Sequence, residues 1–245
     1  MRYLVLSDIH ANLEALDAVL DTAGEGWDTV LVLGDLVGYG ADPNAVVDRV
    51  RAIRNATVIR GNHDKVGAGL ESVAGFNHLA RQAIVWTTKA LTPANRAWVA
   101  ALPAGPLVVD ATVEICHGSP FDEDVYIFDD LDARRSFGVM QRPLCVFGHT
   151  HVPAAFQFDM DLRHMPQPRG PEYRITLYPS SRYLVNCGAV GQPRDGDPRA
   201  AYGVIDTGDQ TVTVHRVAYD VGTAQTKIVK AGLPEVLAQR LAMGR

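Results

Sequence analysis

The chain carries only three cysteines, Cys116, Cys145 and Cys187, among its 245 residues. An odd number at such wide spacing excludes a disulfide framework and a zinc ribbon. Set among apolar neighbours, the three read as buried free thiols of a reducing compartment. Long apolar runs are also missing: nothing approaches the ~18 residues a membrane helix needs. The first ten residues hold no basic region and no cleavage site, so a cytoplasmic protein with no membrane partner is expected. Nor is there a basic excess. Lys and Arg total 23 against 28 Asp and Glu, a formal net charge of -5. That balance argues against nucleic acid as the partner. It leaves room for a small phosphorylated substrate, because bound metal ions supply positive charge locally. Internal repeats and linker-like stretches are absent, and one domain over 1–245 is the expectation.

What is present is an ordinary globular composition with an ordered rhythm. Tyr3 to Leu6 is a short apolar run, followed by Leu13, Leu16, Val19 and Leu20 at helical spacing. Thr29 to Leu33 is a second run, Pro43 opens a helix carrying Val46, Val47 and Val50, and Thr57 to Ile59 is a third strand. Strand-helix-strand order of this kind implies parallel strands joined by helical crossovers. Residues 75 to 102 read as helical, divided at Pro93 with Thr92 as cap. Strands are expected near 106–109 and 112–116, a helix from Ala133 to Met140, and a strand over Leu144 to Phe147. Thereafter strands near 154–158, 173–178, 182–186, 201–206 and 211–217 follow without helices between them, and Leu233 to Met243 closes the chain as a helix. Asp206 to Asp209 reads as a hairpin turn. Met160 to Glu172, with Pro166, Pro168, Gly170 and Pro171, reads as irregular. Lying just after the last histidine cluster, it is expected to close over the site and select substrate.

The informative pattern is where metal-ligand residue types fall. Asp8 and His10, Asp35, Asn62 and His63, His117, and His149 and His151 each follow one of five apolar strands. Loops at the carboxyl ends of such strands converge on one crevice, where ligands bind. Five of the eight histidines lie in these clusters. If the extended backbone continues, both members of each two-apart pair face the same way. Glycine precedes Asp35, Asn62 and His149 and follows His117, which lets the chain turn tightly and approach an ion. Imidazole with carboxylate suits manganese, iron, zinc, nickel or cobalt, manganese being the first expectation. Asp8, His10, Asp35, Asn62, His117, His149 and His151 are too many donors for one tetrahedral ion, and suit two divalent ions sharing a bridging group. Two aspartates against four positive charges leave an excess that favours a phosphate anion.

The blocks Asp8-Ile9-His10, Gly34-Asp35, Gly61-Asn62-His63-Asp64, His117 and Gly148-His149-Thr150-His151 resemble, in order, the five signature blocks of the calcineurin-like metallophosphoesterase superfamily. The likeness extends to bacterial and archaeal phosphoesterases through Gly34 to Gly40 and Val190 to Arg199, and covers nearly the whole chain. It implies an α/β (α+β) fold, a four-layer αββα sandwich of two mixed sheets flanked by helices. It also implies that Asp8, His10 and His151 hold one ion and Asn62, His117 and His149 the other, with Asp35 bridging. His63 would protonate the leaving oxygen or stabilise its charge, with Asp64 orienting its ring, Asn62 and Arg60 would contact phosphate, and a bridging hydroxide would attack phosphorus. Where related protein phosphatases carry Asp-Arg-Gly, this chain has Gly38-Tyr39-Gly40, so one of their two phosphate-binding arginines is missing.

Other charged residues divide less sharply. Arg194 and Arg199 sit in a proline- and glycine-rich loop that suits a structural role as well as a phosphate contact. His78 and His215 read as ordinary surface or core residues, and Arg49, Arg51 and Arg54 as a solvated helix face. The reaction class implied is hydrolysis of a phosphodiester, including nucleotides, or of a phosphomonoester. Dinucleoside polyphosphate hydrolysis and protein dephosphorylation are the alternatives, and a non-catalytic scaffold is the reading from another class.

Overall fold

The computed structural model describes residues 1–165 and 170–245. Its first half winds strands β1 (Arg2–Leu6), β2 (Thr29–Val32) and β3 (Ala56–Val58) with helices α1 (Leu13–Ala23) and α2 (Pro43–Arg51). Then come α3 (Asn62–Gly67), α4 (His78–Ala90), α5 (Pro93–Ala100), β4 (Leu107–Val108), β5 (Val113–Ile115), α6 (Asp130–Val139) and β6 (Leu144–Phe147). The second half runs β7 (Ala154–Phe158), β8 (Leu162–His164), β9 (Glu172–Thr176), β10 (Arg182–Asn186), β11 (Ala200–Asp206) and β12 (Thr211–Val217), and ends in α7 (Val221–Lys230) and α8 (Glu235–Met243).

Two six-stranded sheets result, in the orders β3-β2-β1-β11-β12-β9 and β4-β5-β6-β10-β7-β8. β1 is central to the first, parallel to β2 and antiparallel to β11. Strand alternation explains the layering. Tyr3, Val5, Leu31 and Leu33 point inward and meet Ile115, Val146 and Val185 of the second sheet. Leu4, Leu6, Val30 and Val32 point outward, under Leu16, Val19, Val46 and Val47 of α1 and α2. On the other outer face Cys145, Phe147 and Leu184 pack beneath Ala133 and Phe137 of α6. Strands buried on both faces read as unbroken apolar runs, which is why the first three are plain in the sequence. The layers are helices, sheet, sheet, helix, as the resemblance implies.

Several sequence expectations shift. Thr92 caps α5 by accepting from the Asn95 amide, as expected. Asp206 accepts from the amides of Gly208 and Asp209 and closes the β11–β12 hairpin. Helix α3 falls inside a motif read for its chemistry, and α7 has only Ala224 and Ile228 buried, with Gly222 in its first turn, so neither shows a clear periodicity. The Met160 to Glu172 segment is not wholly irregular. Leu162–His164 pairs antiparallel with β7, Phe156 opposite His164, and Glu172 begins β9 on the far edge of the other sheet. Proline bars a ladder only where it stands; Pro166, Pro168 and Arg169 lie outside the described residues. No described helix is long and apolar enough to cross a membrane.

Candidate metal centre

The ends of β1, β2, β3, β5 and β6 meet over one crevice, and the chain does not leave them in extended form. Asp8, His10, Asp35, His149 and His151 have φ of 53, 49, 54, 67 and 60°. The expectation that paired residues face alike because the strand continues is therefore corrected: left-handed turns, not pleat alternation, aim these side chains. That conformation costs roughly 1–2 kcal/mol per residue for side chains with a β-carbon, and neighbouring loops hold it in place. The amides of Asp8, His10 and Ala11 donate to the carbonyls of Gly34, Asp35 and Leu36, and the His149 amide donates to the Asp8 carboxylate. The approach is close enough to need Gly34: at its φ of +94°, a β-carbon would lie 2.4 Å from the Gly61 nitrogen.

Two donor clusters come together. Asp8, His10, Asp35 and His151 form one, and Asp35, His117 and His149 the other; within each, the candidate ligand atoms lie within 4.8 Å of one another. Asp35 belongs to both. Asn62 joins the second cluster, its Oδ1 3.2 Å from His117 Nε2. All but Asn62 are almost wholly buried.

Second contacts fix the protons. His10, His117 and His151 each donate from Nδ1 to a backbone carbonyl, of Val37 at 3.0 Å, Leu33 at 2.8 Å and Gln192 at 2.6 Å. At His10 and His151 this leaves Nε2 as a lone-pair acceptor aimed inward, the arrangement a metal-binding imidazole needs, while His117 Nε2 points into the same space toward Asp35 and Asn62. His10 Nε2 and His151 Nε2 then stand 3.1 Å apart, two acceptors facing with no proton between them. A cation satisfies that pair; nothing else on these side chains does. His149 donates from Nε2 to the Asp124 carbonyl and keeps Nδ1 for a ligand. The donor set fits two divalent ions.

The electrostatics agree. Burial alone would raise the Asp35 carboxyl, but the imidazoles of His117, His63 and His10 hold it well below the usual range. Burial would lower His117, yet the Asp35 and Asp8 carboxylates raise it to about 10. Burial lowers His10 to about 4 and His149 to about 3, so both stand ready as neutral ligands. Below about pH 10, His117 holds a proton that a metal must displace. Titrating divalent manganese into metal-free protein at pH 8 in weak buffer should release close to one proton per loaded centre. Apparent affinity should fall about tenfold per unit as pH drops from 9 to 7. A pH-indicator dye reads the release; metal uptake with no release would refute a protonated His117.

His63 sits beside the clusters. Its amide donates to Asp35 Oδ1 at 2.8 Å, and its ring packs edge-on against His10 and Phe76 and tilted against Tyr39. Asp64 does not orient that ring. Its carboxylate accepts from the amides of Leu36, Val37 and Gly61, so it braces the β2 and β3 loops together, and His63 Nδ1 is buried with no partner. Arg60 turns both arms of its guanidinium to Glu123, at 3.1 and 2.9 Å. Arg199 pairs with Asp197, while Arg194 lies 5.5 Å from the Tyr39 ring and donates to Gln192 Oε1. Among the described residues no carboxylate pairs with Arg194, whose charge reaches His10, His63, His149 and His151. His78 is exposed, and His215 stacks on Tyr202. Arg49 pairs with Asp17 on the helix surface.

A cavity of about 230 Å³ opens on the centre, lined in part by Tyr39, Asn62, His63, Phe76, Tyr126 and His149. None of the described residues of 160–172 lines it, because β8 and β9 hold that segment at the sheet edges. Tyr126 and Phe76 escaped the sequence reading: one lies in the irregular stretch between β5 and α6, the other just ahead of α4, and neither belongs to a ligand block.

Comparison with known proteins gives one answer. Residues 1–210 match the calcineurin-like phosphoesterase superfamily domain. An uncharacterised protein of Methanocaldococcus jannaschii is 38% identical over 98% of this chain and 97% of its own length. The crystal structure of a metallophosphoesterase from Sphaerobacter thermophilus is 40% identical, covers 100% of this chain and 99% of its own, and has a TM-score of 0.86. A hypothetical protein of Pyrococcus horikoshii, 21% identical, shares the fold at a TM-score of 0.80, with 100% of this chain and 98% of that one covered.

Proposed function

This chain belongs to the calcineurin-like phosphoesterase superfamily, and on that premise we propose that it hydrolyses a phosphodiester or phosphomonoester at a two-metal centre. The observation that carries the proposal is the shared Asp35: one carboxylate within ligand distance of two donor clusters, each with imidazole nitrogens aimed at it. Asp8, His10 and His151 would hold one ion and Asn62, His117 and His149 the other. Bound there, two divalent ions, with manganese our choice, would supply Lewis-acid chemistry and neutralise phosphate charge.

The chain's own residues account for the rest. Arg194, which pairs with no carboxylate among the described residues, places a guanidinium on the Tyr39 side of the crevice, where it attracts the phosphate anion. His63, buried against the donor clusters and facing the cavity, is placed to give a proton to the leaving oxygen. Arg60 takes no part unless a phosphate displaces Glu123. Buried walls around the donors exclude bulk water and strengthen each of these interactions.

The test is the hydrolysis of a nitrophenyl monoester and of its matching diester by manganese-loaded protein. Turnover of the diester in preference makes the protein a phosphodiesterase, and preference for the monoester makes it a phosphatase. Failure of both substrates across several divalent metals would overturn the proposal in favour of a scaffold.

A further inference from the structure

The four candidate imidazole ligands are not held alike from behind. The carbonyls that anchor His10, His117 and His151 belong to Val37, Leu33 and Gln192, all of them buried. The carbonyl that accepts from His149 Nε2, at 3.2 Å, belongs to Asp124, an exposed residue in the stretch between β5 and α6. Packing alone does not fix an exposed turn, so polar contacts must hold that carbonyl in place.

Those contacts are present. A β-carbon on Gly118, next to His117, would lie 2.6 Å from the Glu123 carbonyl oxygen, so the stretch folds back tightly on its own start. Ser119 and Asp122 exchange backbone hydrogen bonds across the bend. Lys65 reaches the stretch from outside. Its Nζ lies 2.6 Å from Asp124 Oδ2, 3.2 Å from Glu123 Oε1 and 2.8 Å from Glu71 Oε2, on a side chain only 10% exposed. Arg60 adds its pair with Glu123. A shielded cation shared among carboxylates is screened little by salt, and removing it leaves its partners to repel one another.

Lys65 belongs to α3, within one helical turn of Asn62. One side chain therefore ties the helix that carries Asn62 to the carbonyl that aims His149, and both of those residues are donors of the second cluster. That cluster has only the shared Asp35 as a carboxylate, whereas the first has Asp8 as well. With less charge to attract it, an ion there depends more on how its neutral donors are aimed.

We propose that Lys65 is a positioning residue for the second ion: through Asp124 it holds the backbone carbonyl that orients His149, and it leaves the first ion alone. The proposal rests on the two-metal reading of the centre.

The test follows manganese uptake by metal-free protein through the paramagnetic resonance signal of the free ion, which yields both affinities. Native protein should take up two ions. In Lys65→Met the weaker affinity should fall about 10–100-fold, the range for losing a group that orients a ligand, while the stronger stays native. Asp124→Asn keeps the carbonyl but loses the charge, and should move the same affinity in the same direction. Lys65→Arg keeps the charge and should restore most of the loss. With no metal added, long-range proton–nitrogen NMR should show His149 protonated at Nε2 in native protein and a mixture of both neutral forms in Lys65→Met. A residue that only stabilises the fold would lower the melting temperature and leave the tautomer and the ratio of affinities unchanged, which would overturn the proposal. An equal fall of both affinities would overturn it too. Two native affinities in Lys65→Met would overturn it while leaving the phosphoesterase proposal standing. A native chain that never takes up a second ion would fail the two-metal reading itself, and the role of Lys65 with it.

Discussion

Asp35→Asn should lose both bound metal and activity while keeping its fold. The carboxylate belongs to both donor clusters, and its low proton affinity keeps it charged across the working pH range. An asparagine in its place retains an oxygen to accept from the His63 amide, which the native Oδ1 does at 2.8 Å, so the α3 loop should remain seated. What disappears is the negative charge that two cations would share. Bridging and charge neutralisation of this kind supply several kcal/mol of transition-state stabilisation, so the rate should fall by about 10³-fold or more. Metal content by elemental analysis and turnover under saturating manganese are the two readings. Retention of two ions per chain at native rates would remove Asp35 from its assigned place.

His63→Ala should divide the process at a different point. The ring is no part of either donor cluster, so metal content should stay native. Burial favours its neutral form and holds its pKa well below the ordinary value. A phosphate anion in the crevice acts in the opposite direction and favours the protonated ring that can give its proton away. Loss of such a donor typically costs about 10²–10⁴ in rate. The loss should be largest for an alkoxide leaving group and smallest for nitrophenolate, which departs without a proton. A uniform loss across leaving groups would mean that His63 only shapes the loop, filling space against Tyr39 and Phe76. Since Gly38 Cα faces Nδ1 so closely that a β-carbon there would come within 2.4 Å, that ring has little room to shift.

How much of this was legible before the structure depends on how local each signal is. Leu4 to Leu6 and Val30 to Leu33 are buried on both faces, so they announce themselves as strands, and the polar residues that follow announce a site. Asp8, His10, Asp35, His117, His149 and His151 needed only residue type and position after a strand. The left-handed turns that aim them are held by contacts between loops 25 to 141 residues apart, which no local pattern carries. Asp64 shows the limit well. Its neighbour in sequence is His63, but its partners in space are the amides of Leu36, Val37 and Gly61. Arg60 likewise found Glu123, 63 residues on. The cavity walls were the least legible part, because Tyr126 and Phe76 matter through what they stand beside and not through any period of their own.

The backbone around the donors is tied to itself. Asp8, His10 and Ala11 hang on carbonyls of the β2 loop, and three imidazoles are anchored from behind by carbonyls of Val37, Leu33 and Gln192. Each of those anchors is a hydrogen bond made by the chain itself. A change in a loop that supplies no ligand, at Val37 or Gln192, would therefore tilt the imidazole it holds and alter the centre from outside it.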